Sequence, residues 1–231
     1  MGYEEASLEK QATLLAERLD FQLDKEAETC LFLGIERLIV KTPHFSPLYA
    51  DFSAAVWNKR CAEGKKQGLI KACKPKPGMH IIDATAGWGR DAAILAGFGA
   101  QVMMLERHPV MVVLLEDALN HQSEADRQRL KLSLQAQDAL SVLSTLNEKD
   151  FPDVIYIDPM HPERNKSALV KKDMQMLQDL IGPDEDALAL ILLAQKCAKQ
   201  RVVVKWPQKI NPLLPPSYSI AGKTIRFDVY H

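Results

Sequence analysis

Four short apolar segments between residues 80 and 157 each lead into an acidic residue. The segments are His80–Ile82, Gln101–Leu105, Leu132–Ala136 and Val154–Ile157, and the acids that follow them are Asp83, Glu106, Asp138 and Asp158. Apolar runs of this length are typical of buried strands. Helical patterns separate them, and strands that alternate with helices form a largely parallel sheet. Because ligands bind at the carboxyl ends of such strands, the pattern predicts an α/β fold with a ligand site near the acids.

The segment that follows the fourth strand reads Asp-Pro-Met-His-Pro, from Asp158 to Pro162. A carboxylate can accept an N–H of a planar amine, and a proline fixes the backbone of the corner. The ring of His161 can stack on the base that carries the amine. We therefore predict that Asp158, Pro159 and His161 are catalytic. A turn with a solvated aspartate, followed by a loop histidine, is the alternative.

A glycine-containing turn follows the first strand and reads DATAGWGRD from Asp83 to Asp91. The stretch Asp91–Ala96 then has a helical pattern. Glycines at a strand-to-helix turn let the backbone approach a ligand closely. The turn differs from the dinucleotide pattern Gly-x-Gly-x-x-Gly, because an acid comes first and the third glycine is missing. The alternative is a tight loop that binds nothing.

Two further acids are placed to contact a nucleoside. Glu106 ends the second strand about twenty residues after the glycine turn, where an acid binds ribose hydroxyls. The alternative is a surface glutamate paired with Arg107. Asp138 follows the third strand and can accept a hydrogen bond from an adenine amino group. It can equally cap the helix that starts near Ala139.

Together these motifs resemble the class I S-adenosylmethionine-dependent methyltransferases that modify exocyclic amines. The closer resemblance is to the ribosomal RNA small subunit methyltransferase J family, and it covers roughly residues 45–231. It rests on the segments Asp83–Asp91, Met104–Pro109, Asp158–Pro162, Lys166–Lys172, Arg201–Lys205 and Arg226–Tyr230. His161 stands where that family usually has phenylalanine.

The resemblance implies a Rossmann-like, seven-stranded, mostly parallel sheet with helices on both faces and a last strand inserted antiparallel. It implies methyl transfer from S-adenosyl-L-methionine to N2 of a guanine in 16S rRNA, either as naked rRNA or in the small ribosomal subunit. The cofactor-binding residues that follow from it are Asp83, Ala84, Gly87, Gly89, Arg90, Asp91, Glu106, Arg107, Asp138, Ala139 and Asp158.

The chain before the first core strand is predicted to form a small αβ unit. Residues 1–24 have a helical pattern, Cys30–Leu33 and Arg37–Val40 indicate a hairpin, and a helical stretch follows at about 53–72. The proline- and glycine-containing segment Lys74–Gly78 then interrupts the chain. We therefore divide it into residues 1–76, an amino-terminal unit, and residues 77–231, a methyltransferase domain. After Asp158, a long helical region, a helix at 187–199 and two closing strands are predicted.

Basic residues cluster beside the predicted site although the net charge is only −1. One cluster lies within residues 59–76 and the other follows the Asp158 corner. Clustered cations beside a site are typical of contacts with a phosphate backbone, whereas a solvated helix face is the alternative. The predicted RNA-binding residues are Lys65, Lys66, Arg164, Lys166, Lys171 and Lys172.

Bulk properties indicate an ordinary globular protein. The 231 residues are 47% hydrophobic and 26% charged, and no apolar run approaches the ~20 residues of a membrane span. The amino terminus lacks the pattern of an export signal, and four scattered cysteines have no metal-ligand spacing. We expect reduced thiols, a cytoplasmic location, no metal and no membrane partner.

Three alternative functions remain open from the sequence. The first is an amino methyltransferase that acts on DNA or a small molecule, which the paired basic clusters disfavour. The second is a nicotinamide-dependent oxidoreductase, which the missing third glycine disfavours. The third is a non-catalytic RNA-binding module. The presence of Asp83, Glu106 and Asp158 argues against it.

Overall fold

A computed structural model of the chain describes residues 1–43, 46–53, 57, 61–62, 64–160 and 186–231, with the backbone alone at Lys65. The predicted long helical region after Asp158 lies almost wholly outside these described residues. So do His161, Arg164, Lys166, Lys171 and Lys172.

The described residues at the start of the amino-terminal unit form a three-stranded sheet and a helix. Its strands are β1 (Gly2–Tyr3), β2 (Cys30–Leu33) and β3 (Leu38–Lys41), and its helix is α1 (Glu9–Leu19). Strands β2 and β3 form the predicted antiparallel hairpin. The prediction of a helix over residues 1–24 was too long, because Gly2 and Tyr3 pair in parallel with Phe32 and Leu33. The helix ends where Asp20 adopts a left-handed conformation, with φ 55°.

The predicted helical stretch at 53–72 is confirmed at the described residues Trp57, Cys61 and Ala62, which are helical, but it is interrupted further on. A 3-10 helix spans Gly64–Lys66 and the helix α2 spans Gly68–Cys73. Gly64 has a φ of +64°, and Gln67 is extended just before α2. These two backbone conformations separate α2 from any helix that precedes it.

The main sheet has seven strands, in the order β6-β5-β4-β7-β8-β10-β9. They are β4 (His80–Asp83), β5 (Gln101–Leu105), β6 (Leu132–Gln135), β7 (Val154–Ile157), β8 (Arg201–Pro207), β9 (Tyr218–Ala221) and β10 (Ile225–Tyr230). Strands β4 to β8 pair with one another in parallel, and β10 is antiparallel to β8 and β9. The predicted fold class and the antiparallel last strand are confirmed.

Helices cover both faces of this sheet. The remaining helices are α3 (Arg90–Gly97), α4 (Pro109–Asn120), α5 (Glu124–Arg129), α6 (Ala139–Thr145) and α7 (Ala187–Cys197). Short 3-10 turns span Ala6–Leu8 and Glu148–Asp150. Helices α2, α3 and α4 pack on one face, and α6 and α7 pack on the other.

The alternation of β7 shows how the sequence specifies these two layers. Val154 and Tyr156 belong to the core under α3 and α4, whereas Ile155 and Ile157 belong to the core under α6 and α7. All four are buried, as expected of a central parallel strand that is covered on both sides. The same period of two decides which side chains at the strand ends share a face.

The amino-terminal unit shares its core with the sheet. Tyr3 and Leu31 belong to the same buried cluster as Leu114 of α4. Asp117 of α4 accepts the backbone N–H of Leu38 at 2.9 Å. One hydrophobic core thus crosses the proposed division at residues 76 and 77. Within the described ranges, no helix is long and apolar enough to cross a membrane.

Candidate active site

The glycine turn lies at the carboxyl end of β4, as predicted. Gly87 and Gly89 have φ values of +52° and +68°, in the left-handed region that favours glycine. A Cβ atom at Gly89 would lie 2.6 Å from the ring of Phe52, so that packing also requires glycine there. The turn is anchored to the neighbouring strand, because the N–H of Ala86 donates to the carbonyl of Leu105 at 3.1 Å.

Glu106 holds the turn from the end of β5. Its Oε2 accepts the N–H of Gly87 at 2.9 Å, and its Oε1 accepts the N–H of His108 at 2.8 Å. The residue is only 7% exposed, so it is not the surface glutamate of the alternative interpretation. Burial lowers the pKa of His108, which favours its neutral form beside the carboxylate.

Asp138 caps helix α6, which was one of its two predicted roles. Its Oδ1 accepts the N–H of Ser141 at 3.0 Å, and Ala139 is the first residue of the helix. Its Oδ2 lies 3.3 Å from Nη1 of Arg107, and the same nitrogen lies 2.7 Å from Oδ2 of Asp186. A contact between Asp138 and adenine remains a prediction.

The Asp158 corner is joined directly to the glycine turn. The N–H of Asp158 donates to Oγ1 of Thr85 at 2.6 Å. This contact is possible because β7 lies beside β4, with Asp83 opposite Tyr156 in the register. Pro159 is buried next to it. The proposed catalytic corner and the proposed cofactor turn therefore meet at one edge of the sheet.

A lysine that the sequence analysis did not assign completes this group. Ile157 is opposite Val204 in the parallel pair of β7 and β8, so the next residues, Asp158 and Lys205, are neighbours. Lys205 Nζ lies 2.6 Å from Oδ2 of Asp158 and 3.0 Å from Oδ2 of Asp91. The hydroxyl of Tyr156 donates to the same Asp91 oxygen at 2.5 Å.

The side chains of this group share one face of the sheet. Ile81, Tyr156 and Val203 all belong to the core under α3, and each precedes a polar residue of the site by two positions. The alternation of the strands thus directs Asp83, Asp158 and Lys205 to the face from which Asp91 approaches on α3. Three signals could have revealed Lys205, Tyr156 and Thr85. In the same order, these signals are a basic residue at the end of an apolar strand, a tyrosine within an apolar strand, and a hydroxyl side chain in the glycine turn.

The crowding of carboxylates changes how these groups ionise. Burial, reinforced by the negative charge of Asp91, raises the pKa of Asp83 to about 8. Asp83 is 1% exposed and is therefore mainly protonated at neutral pH. Burial lowers the pKa of Lys205, but the carboxylates of Asp158 and Asp91 outweigh burial and raise it overall. Burial also raises the pKa of Tyr156, which stays a neutral hydrogen-bond donor.

The other predicted site residues are placed as follows. Ala84 is buried, and its N–H donates to the carbonyl of Tyr156 at 2.9 Å. Arg90 begins α3, with its guanidinium carbon 5.9 Å from the ring centroid of Trp88. Lys66 is exposed on the 3-10 turn. In the described part of the chain, no three His, Cys, Asp or Glu side chains are grouped to hold a metal.

Comparison with known proteins agrees with this architecture. The family model described as "Putative SAM-dependent methyltransferase" matches residues 14–231. Ribosomal RNA small subunit methyltransferase J from Legionella pneumophila strain Lens is 64% identical over 230 residues, covering 100% of this chain and 95% of the relative. The protein of the same name from Nitrosococcus oceani is 43% identical over 210 residues, covering 87% and 83% of the two chains. The crystal structure of a SAM-dependent methyltransferase from Neisseria gonorrhoeae matches with a TM-score of 0.71 and 26% identity, covering 99% of this chain and 94% of that one.

The sheet order and the strand-end turn are those of a class I, S-adenosylmethionine-dependent methyltransferase. Over its full length this chain is 64% identical to a relative of that name, and it therefore belongs to the ribosomal RNA small subunit methyltransferase J family. Its methyl donor is therefore S-adenosylmethionine. This finding removes the nicotinamide-dependent oxidoreductase from the alternatives.

Proposed function

We propose that this protein transfers the methyl group of S-adenosylmethionine to the exocyclic N2 amine of a guanine in 16S rRNA. The observation that carries the proposal is the hydrogen bond between Thr85 and the backbone of Asp158, at 2.6 Å. It joins a carboxylate suited to hold an amine to a glycine turn suited to hold the methyl donor. The names of the relatives support small-subunit rRNA as the substrate.

The residues around the turn fit the cofactor. Gly87 and Gly89 let the backbone approach a ligand closely. Each carboxylate oxygen of Glu106 already accepts a backbone N–H, and a carboxylate oxygen can accept more than one hydrogen bond. Glu106 thus suits two ribose hydroxyls. The residues that would hold the cofactor are Asp83, Ala84, Gly87, Gly89, Arg90, Asp91, Glu106, Arg107, Asp138, Ala139 and Asp158.

Asp158 and Pro159 suit the chemistry of a guanine amine. The N2 lone pair is delocalised into the ring, which makes the amine a poor nucleophile. An acceptor on its N–H can direct the lone pair toward the methyl group, and Asp158 and the carbonyl of Pro159 are acceptors. When the cofactor supplies its methyl group, an N–C bond forms, the S–C bond breaks and its electron pair stays on sulfur. The amine then loses its proton.

The substrate class also explains the basic residues. A base inside a helix cannot reach a strand-end corner, so that the target is single-stranded or flipped out. Lys65, Lys66, Arg164, Lys166, Lys171 and Lys172 would then contact the phosphates around it. His161 would stack on the base. An rRNA substrate, together with the free thiols of Cys30, Cys61, Cys73 and Cys197, supports a cytoplasmic site of action.

The test is a methylation assay with radiolabelled S-adenosylmethionine. The substrates are small subunits and naked 16S rRNA from a strain without the corresponding enzyme, with single-stranded DNA as the competing arm. Digestion to nucleosides and mass spectrometry then identify the product. We expect N2-methylguanosine at one position of the rRNA. Methylation of DNA alone, or of an rRNA atom other than guanine N2, would overturn the proposal.

A further inference from the structure

We propose that Lys205 is a positioning residue that keeps the Asp158 carboxylate ionised and oriented for the target amine by bridging it to Asp91. This inference deepens the proposed function and rests on it. Lys205 was assigned no role by the sequence motifs. Its place follows from the pairing of β7 with β8, which sets it beside Asp158 at the ligand edge of the sheet.

The bridge is defined by three short contacts. Lys205 Nζ lies 2.6 Å from Asp158 Oδ2 and 3.0 Å from Asp91 Oδ2. The Tyr156 hydroxyl, 2.5 Å from the same Asp91 oxygen, fixes that carboxylate from the other side. The side chain of Lys205 is 20% exposed, so that water screens these ion pairs less than it would on an open surface.

The need for a cation arises because three acidic side chains meet here. The titratable and charged groups that face Asp158 in the described part are Asp83 on β4, Asp91 on α3, Tyr156 on β7 and Lys205 on β8. Behind them the buried thiol of Cys73 on α2 adds no charge, because burial raises its pKa. Like charges disfavour ionisation, whereas an opposite charge within ~4–6 Å favours it.

Removal of the cation would therefore change the chemistry of Asp158. With the negative charge of Asp91 nearby and no ammonium group, the pKa of Asp158 would rise. A protonated carboxyl has lost its charge, and one of its two oxygens carries an O–H donor, so that it is a weaker acceptor for the N–H of the amine. Lys205 acts through Asp158 in this account and does not itself contact the reacting atoms.

The experiment compares Lys205→Met and Lys205→Arg with the wild-type enzyme. Lys199→Met is the matched control, because Lys199 is an exposed lysine just before the opposite end of β8. The first readout is kcat for rRNA methylation from pH 5.5 to pH 9.5. The second is the carboxyl titration of Asp158, followed by NMR with carbon-13-labelled aspartate. This second readout needs no rRNA, so it tests Lys205 even if the proposed substrate is wrong.

We expect Lys205→Met to move the acidic limb of the kcat profile and the Asp158 titration upward by about 1 pH unit or more. Activity should therefore fall most at the acidic end of the pH range and recover as the pH rises, and Lys205→Arg should restore the wild-type midpoint. Lys199→Met should change neither readout. An equal fractional loss at every pH, with an unshifted Asp158 titration, would reduce Lys205 to a structural role and overturn the inference. If the wild-type enzyme fails to methylate guanine but Lys205→Met still shifts the Asp158 titration, the proposed substrate alone is refuted.

Discussion

The hydroxyl of Thr85 accepts the backbone N–H of Asp158 at 2.6 Å, and this contact ties the two functional segments of the site together. Thr85 belongs to the glycine turn after β4, whereas Asp158 begins the corner after β7. The distance between methyl donor and acceptor in such a site depends on how these two segments are held. Positioning of this kind contributes strongly to in-line displacement.

Thr85→Val tests that tie. Valine keeps the shape of threonine but leaves the N–H of Asp158 without its acceptor, which costs about 1–3 kcal/mol where water cannot replace the bond. We expect a lower kcat with little change in the affinity for S-adenosylmethionine. Thr85→Ser retains the hydroxyl and serves as the control. Equal kcat values for Thr85→Val and the wild-type enzyme would show that this hydrogen bond does not position the Asp158 corner.

Glu106→Ala should weaken cofactor binding by about tenfold or more, because charged hydrogen bonds contribute roughly 1.5–3 kcal/mol each. The variant loses the acceptor for the backbone N–H of Gly87 as well as the predicted contact with the ribose hydroxyls. Calorimetric titration with S-adenosylmethionine provides the measurement, and Glu124→Gln on the exposed helix α5 is the control. An affinity equal to that of the wild type would remove Glu106 from the cofactor site.

Asp83 should make the protein less stable as the pH rises. Its folded-state pKa, about 8, lies above the ordinary aspartate value of 3.8, mainly because of burial. The folded state therefore binds a proton more tightly than the unfolded state, and this stabilisation is lost as the pH rises through about 4 to 8. Asp83→Asn cannot ionise, so its free energy of unfolding should fall less between pH 5 and pH 8. Urea denaturation at both pH values gives this difference. Parallel pH dependence in both proteins would contradict the raised pKa.

The basic residues should make RNA binding sensitive to salt. If Lys65, Lys66, Lys171 and Lys172 contact phosphates, each substitution by alanine should reduce the slope of log affinity against log salt by roughly 0.7–0.9. The affinity for S-adenosylmethionine should not change. Filter binding of rRNA at several salt concentrations measures the slope. A quadruple variant with the wild-type slope would assign these lysines to a solvated helix face.

The sequence predicted the parts of the fold that depend on local patterns. The apolar runs that became β4, β5 and β7, and the turn between Asp83 and Asp91, were located correctly because each strand is a short run of mainly apolar residues that ends in an acid. The extent of the amino-terminal helix was wrong, because β1 exists only through its pairing with β2, far along the chain. Such pairing leaves no local signal.

The site was predicted residue by residue but not as a connected group. Asp158 and Asp91 were each singled out, whereas their shared partner Lys205 was not. Its role depends on the register between β7 and β8, where Ile157 is opposite Val204. A shift of one residue would have turned Lys205 to the other face of the sheet. Asp138 shows the opposite case, because its local sequence predicted the helix cap that the structure contains.

The central claim is that Asp158 holds the target amine, so that its loss affects methyl transfer far more than it affects cofactor affinity. Asp158→Asn keeps the size of the side chain but removes the charge that pairs with Lys205. The most direct measurement compares N2-methylguanosine formation in 16S rRNA with S-adenosylmethionine affinity in this variant and in the wild type. We expect methylation to fall below detection while the affinity stays within about threefold, a difference smaller than ~1.4 kcal/mol. Methylation at near the wild-type rate would contradict the account.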